Sequence, residues 1–151
     1  MRGKNWRMIN VFLGVFLSLG LMGFSDQPLP IEYAQACTTA QRGSSQSCPQ
    51  PITFAQGAYG ALVNDRLSSS PQTRYYSLAA TGGQRLTLTF AGAGPLRAGI
   101  TFPGGGGDGP FDGEGNTIEL PRSGTYIIYI SQNTMAGQPW RGGFSLALIV
   151  R

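Results

Sequence analysis

The stretch Glu119-Leu-Pro-Arg-Ser-Gly-Thr-Tyr-Ile-Ile-Tyr-Ile-Ser-Gln-Asn133 carries an unbroken β-branched and aromatic run, Thr125 to Ile130, behind a Pro and a Ser-Gly pair. Such residues fit a pleated, half-buried surface. Pro121 suits a strand end that needs no ladder donor, and Ser123-Gly124 supplies the turn into the run. The stretch therefore predicts a strand. Its alternation points Tyr126, Ile128 and Ile130 inward and Ile127 and Tyr129 outward.

The same signature recurs on both sides. In Gln84-Arg-Leu-Thr-Leu-Thr-Phe90, Leu86, Leu88 and Phe90 point one way and Arg85, Thr87 and Thr89 the other. Tyr76 and Leu78 share one face of Thr73-Arg-Tyr-Tyr-Ser-Leu-Ala79. Leu96–Phe102 and Asn116–Leu120 are weaker strands, and a short one is expected at Ile52–Phe54. The closing run Gly142–Val150 is strong, with Phe144, Leu146, Leu148 and Val150 inward and Ala147 and Ile149 outward. Gly- and Pro-bearing turns separate these runs, and no helical period with caps appears from Cys37 onward. The pattern predicts an all-β fold, an antiparallel β-sandwich of jelly-roll or Greek-key kind with about seven to eight strands. If the last two strands pair as a hairpin, Ile127, Tyr129, Ala147 and Ile149 share one outer face. That face is either covered by a preceding arm or a partner surface.

The first part of the chain reads as an address. Arg2, Lys4 and Arg7 precede an apolar run, Ile9 to Phe24, and a small-x-small Ala34-Gln35-Ala36 follows. Residues 1–36 are expected to be a cleaved signal peptide, leaving no membrane span. Residues 37–57 read as a Ser/Gln/Pro-rich arm and 58–151 as the sandwich domain. Export implies an oxidising compartment, secreted or periplasmic, so Cys37 and Cys48 are expected to form a disulfide. The competing reading makes Cys37 a lipidated N-terminus.

Composition removes several chemistries. The only Lys is Lys4, and the eight Arg from Arg42 onward are scattered against five carboxylates. Without a basic stripe or a recognised module, no nucleic acid is expected as partner. The chain has no His. That excludes histidine-assisted nucleophilic catalysis and His-ligated zinc, and two Cys cannot complete a zinc site. A carboxylate pair among Asp108, Asp112, Glu114 and Glu119 is the remaining catalytic option, but all except Glu119 lie in a solvated Gly-rich loop. That loop, Gly104 to Asn116, formally contains a Gly-x-Gly-x-x-Gly spacing, but no helix follows it. Asp108, Asp112, Glu114 and Asn116 are weak calcium candidates, with a mobile, metal-free loop the favoured expectation. No cofactor is expected.

The order of these runs resembles the bacterial pre-peptidase C-terminal domain, a small β-sandwich of secreted proteins. The resemblance covers about Gly60 to Val150. It is carried by Gly83-Gln84 before a strand and by Leu120-Pro121-x-Ser-Gly-Thr-Tyr126. A narrower resemblance is to the periplasmic inhibitors of goose-type lysozyme, in which a Leu-Pro-x-Ser-Gly-x-Tyr strand is followed by a polar loop bearing Gln and Arg. Here that loop holds Gln132, Asn133, Met135, Gln138, Trp140 and Arg141, with Arg141 its only charge. The first resemblance implies an exported, non-catalytic module that binds a protein or cell-envelope polymer. The second implies an inhibitor whose loop enters a cell-wall hydrolase. A secreted carboxylate hydrolase is the third reading. Within the loop, Trp140 is read as a contact anchor, against the alternative of a lid folded on the sandwich end.

Overall fold

The inward rows of the sequence need a second apolar face, and two stacked sheets supply it. A computed structural model describes residues 36–69 and 72–151, so most of the predicted signal peptide lies outside the described residues. The strands are β1 (Gln50–Pro51), β2 (Gly60–Leu67), β3 (Thr73–Ala80), β4 (Arg85–Gly92), β5 (Leu96–Thr101), β6 (Gly107–Phe111), β7 (Asn116–Glu119), β8 (Gly124–Gln132) and β9 (Gly142–Val150). They form a five-stranded sheet, β1-β3-β8-β5-β6, and a four-stranded sheet, β2-β9-β4-β7. Pairing is antiparallel except between β1 and β3. The expected sandwich is present, and Tyr76, Leu78, Leu86, Leu88, Tyr126, Ile128, Ile130, Leu146 and Leu148 form its buried centre.

Three local expectations are corrected. First, β8 and β9 are not a hairpin: β8 lies between β3 and β5, β9 between β2 and β4. Each has an unbroken inward row, and the two rows bury more facing each other across the core than lying side by side. Ile127 and Tyr129 therefore sit on the outer face of one sheet, and Ala147 and Ile149 on the outer face of the other. Second, the arm pairs at Gln50–Pro51 rather than Ile52–Phe54. An edge strand tolerates Pro51, and the chain then turns inward to bury Ile52 and pack Phe54 on the core. Third, the Gly-rich segment is not a loop throughout. Left-handed glycines at 104–106 turn the chain, Phe102 N donates to Gly106 O at 2.9 Å, and β6 returns along β5.

One end of the sandwich is held by the stretch from Leu120 to Tyr126. The buried Tyr126 hydroxyl donates to the Arg122 carbonyl and accepts from Arg122 N at 3.2 Å. Its ring meets Phe102 edge-on, with centroids 5.9 Å apart. Gly83 N donates to Leu120 O, and Leu120 N to Gln84 O, each at 2.8 Å. Gly82 N donates to Ser123 Oγ at 3.0 Å. The Gly83-Gln84 and Leu120–Tyr126 motifs thus bind each other.

A second tie crosses between the sheets. Asp65 on β2 turns inward, and its Oδ2 accepts from Arg74 Nε at 2.8 Å and from Tyr76 Oη at 2.7 Å, both on β3. Burial, and then the hydrogen bond and charge of Asp65, push the Tyr76 phenol far above its usual value of 10.0. Tyr76→Phe should cost about 1–2 kcal/mol at neutral pH by leaving Asp65 one donor short. The unfolded phenol loses its proton near pH 10 while the folded one keeps it, so this contribution falls as pH rises above 10. Urea midpoints measured between pH 8 and about 11 should show the gap between wild type and Tyr76→Phe narrowing with pH.

Candidate contact end of the sandwich

Strand directions place four connections at the end opposite the Tyr126 tie: β2–β3, β4–β5, β6–β7 and β8–β9. The nine-residue segment 133–141 leaves the five-stranded sheet and enters the four-stranded one. It is internally tied. Gln132 is 7% exposed and its Nε2 donates to Gln138 O at 2.7 Å. Asn133 N donates to Pro95 O at 2.7 Å, and Asn133 Oδ1 accepts from Arg97 Nη2 at 3.1 Å and Met135 N at 3.3 Å. Gln132 and Asn133 therefore act as struts.

Trp140 is half-buried and packs against the core. A Cβ on Gly94 or Gly142 would overlap its ring, so those two glycines make its seat. The expectation of Trp140 as the loop tip is replaced by the lid. Burying a large aromatic on the sandwich end outweighs exposing it, and the glycines leave room for it. Of the expected contact residues, Met135, at 90%, Gln138 and Arg141 are exposed. Between this segment and β2–β3 lies a cavity of about 280 Å³, lined by Ser68, Ser69, Pro139, Trp140 and Arg141.

Of the six residues expected here from the sequence, Gln132, Asn133 and Trp140 turn toward the fold, and Met135, Gln138 and Arg141 are exposed. Sequence reasoning missed Arg97, Ser68 and Ser69. Arg97 becomes a neighbour only through its register with Ser131, a pairing that no local signal announces. The other expected residues do not join this end as one surface. Ile127 and Tyr129 are half-buried, and Tyr129 lies across Gly99, where a Cβ would overlap its hydroxyl. Ala147 is half-buried and Ile149 is 43% exposed on the opposite sheet. Asp108 Oδ1 accepts from Gly109 N at 2.7 Å, while Asn116 Nδ2 donates to the carbonyls of Asp112 and Glu114 at 2.7 and 2.6 Å. Among the described residues, no three His, Cys, Asp or Glu gather where they could hold a metal.

A periplasmic inhibitor of g-type lysozyme from Aeromonas hydrophila, PliG, superposes with a TM-score of 0.60 at 28% identity, over 68% of this chain and 95% of that one. The chain has the fold of that inhibitor. PliG of Salmonella Typhimurium aligns with a TM-score of 0.55 at 19% identity, over 67% of this chain and 96% of its own. A mutant of the Escherichia coli protein gives 0.50 at 14%, with the same coverage. No family model and no curated protein matches the chain. The pre-peptidase resemblance thus gains no support, and the narrower resemblance is the one the structures share.

Because Trp140 is a lid, Trp140→Ala should destabilise the fold by about 2 kcal/mol, less than the 3–5 kcal/mol of a fully buried aromatic. Met135→Ala and Arg141→Ala should stay within about 0.5 kcal/mol of wild type. Denaturant midpoints for the three variants check this directly.

Proposed function

We propose that the chain is an exported, non-catalytic inhibitor of a cell-wall hydrolase of the goose-type lysozyme class, secreted or periplasmic. It would act through the end that carries Met135, Gln138 and Arg141. The supporting observation is the likeness to Aeromonas hydrophila PliG over nearly all of that inhibitor. The disulfide between Cys37 and Cys48 accords with an oxidising compartment. Among the described residues, no helix is long and apolar enough to cross a membrane.

The chemistry of the end fits the target class. Glycoside hydrolases work with carboxylates in a cleft, and a guanidinium is the side chain best matched to a carboxylate. Arg141 is exposed on a segment tied by Gln132, Asn133 and the Trp140 lid, so little order has to be gained on binding. Met135 adds an adaptable apolar contact beside it.

The test is lysis of bacterial walls followed by turbidity. The purified protein should slow goose-type lysozyme. Arg141→Ala should raise the concentration needed for half inhibition about tenfold or more, equivalent to ~1.4 kcal/mol, with its denaturation midpoint unchanged. Failure of the wild-type protein to slow the enzyme at micromolar concentration would overturn the proposal.

A further inference from the structure

The segment between Cys37 and Cys48 carries an inference independent of the hydrolase reading. The cysteines are bonded, with Cα atoms 5.7 Å apart across a sequence separation of 11. Between them lies a polar loop with one 3₁₀ turn, Thr39–Gln41. From Ala36 to Cys48 only Gly43 and Cys48 are buried. Gly43 N donates to Cys48 O at 2.7 Å, Cys48 N to Ser45 O at 3.1 Å and Ser44 N to Gln41 O at 3.0 Å. These bonds fold the loop on itself, and Cys48 is its only buried side chain.

The loop nevertheless covers something. Gly43 O accepts from Tyr75 N of β3 at 3.0 Å. Gly43 has a φ of +76°, and a Cβ there would lie 2.7 Å from an Arg74 guanidinium nitrogen. Arg74 is therefore held between Gly43 on one side and Asp65 on the other. Below this point β1 and Ile52, whose N donates to Ser77 O at 2.9 Å, cover the same edge. Ile52 is in the core, so that lower cover is held by burial. The upper cover is held by the bonded loop.

We infer that the loop Cys37–Cys48 is a redox-held strap, which closes the edge of β3 over Arg74 and Tyr75 only while the disulfide is intact. Cys37 is exposed and Cys48 buried, so a dithiol reductant attacks the Cys37 sulfur. The Sγ–Sγ bond breaks and Cys48 leaves as a thiolate. The second thiol of the reductant then displaces Cys37 and closes a cyclic disulfide. The reductant loses two electrons and two protons, and both cysteines become thiols. Freed of the bond, a polar loop with two buried residues opens locally at low cost, while β1 and the sandwich stay in place. Polar edge groups of β3 then face solvent, as in a chain that has not yet been oxidised.

Amide hydrogen exchange by NMR tests this on the exported protein, from Cys37 on, with and without a dithiol. The Tyr75 amide should exchange at least tenfold faster after reduction, while the amides of Leu88, Ile128 and Leu148 keep their protection. Cys37→Ser/Cys48→Ser should match the reduced protein without any reductant. Gly43→Ala should speed the Tyr75 amide with the disulfide intact, because its Cβ displaces Arg74. Unchanged Tyr75 protection in the reduced protein would overturn the proposal, since the strap would then hold without the bond. Loss of protection throughout the sandwich would also overturn it, since the bond would then support the whole fold.

Discussion

The hydroxyl of Tyr126 bonds back to the backbone of Arg122 from inside the core, and the remaining architecture is arranged around that anchor. It fixes where β8 begins and keeps its buried ring in register with Ile128 and Ile130. β8 is the centre of the five-stranded sheet, so β3 and β5 take their register from it. The β3–β4 and β7–β8 turns close on each other at the same end. The nine-residue connection between β8 and β9 lies at the other end. There the β8–β9 segment has to cross from one sheet to the other, and a crossing of this length provides room for exposed side chains.

The strength of that arrangement comes from complementary tasks at two places. The Tyr126 end ties together two turns that each pass from one sheet to the other. The Asp65 carboxylate, with Arg74 and Tyr76, holds the two sheets together along an open side. A charge turned inward on edge strand β2 also discourages pairing with another chain. The loop closed by Cys37 and Cys48 lies on the same side and covers Arg74 through Gly43. Burial by apolar residues sets the fold, and these polar contacts choose one packing of it.

Much of the fold could be read from local pattern, because strand alternation is a local property. Leu86, Leu88 and Phe90, or Tyr126, Ile128 and Ile130, announce their faces without reference to the rest of the chain. Pairing cannot be read that way. Two strong neighbouring strands suggest a hairpin, yet β8 and β9 separate because each has an apolar row to bury against the other. Asp65 reads as an ordinary surface acid in Leu62-Val-Asn-Asp-Arg66, and its partners on β3 become visible only in three dimensions. The position of the candidate contact segment was legible from Gln132 to Arg141, but the roles within it were not. Whether Trp140 reaches outward depends on Gly94, a residue of a distant turn that leaves space for the ring. The same dependence on remote residues makes Gln132 a buried strut and leaves Met135 outermost.

In the proposed function, the end bearing residues 133–141 meets the hydrolase. Met135 stands 90% exposed there and is the sole Met after residue 36, so its oxidation is a clean reporter. The decisive measurement is the rate of hydroxyl-radical oxidation of Met135, read by mass spectrometry, in the free protein and bound to goose-type lysozyme. Binding should slow this oxidation severalfold or more. An unchanged Met135 rate in a complex that still inhibits would contradict it and move the contact surface elsewhere on the sandwich.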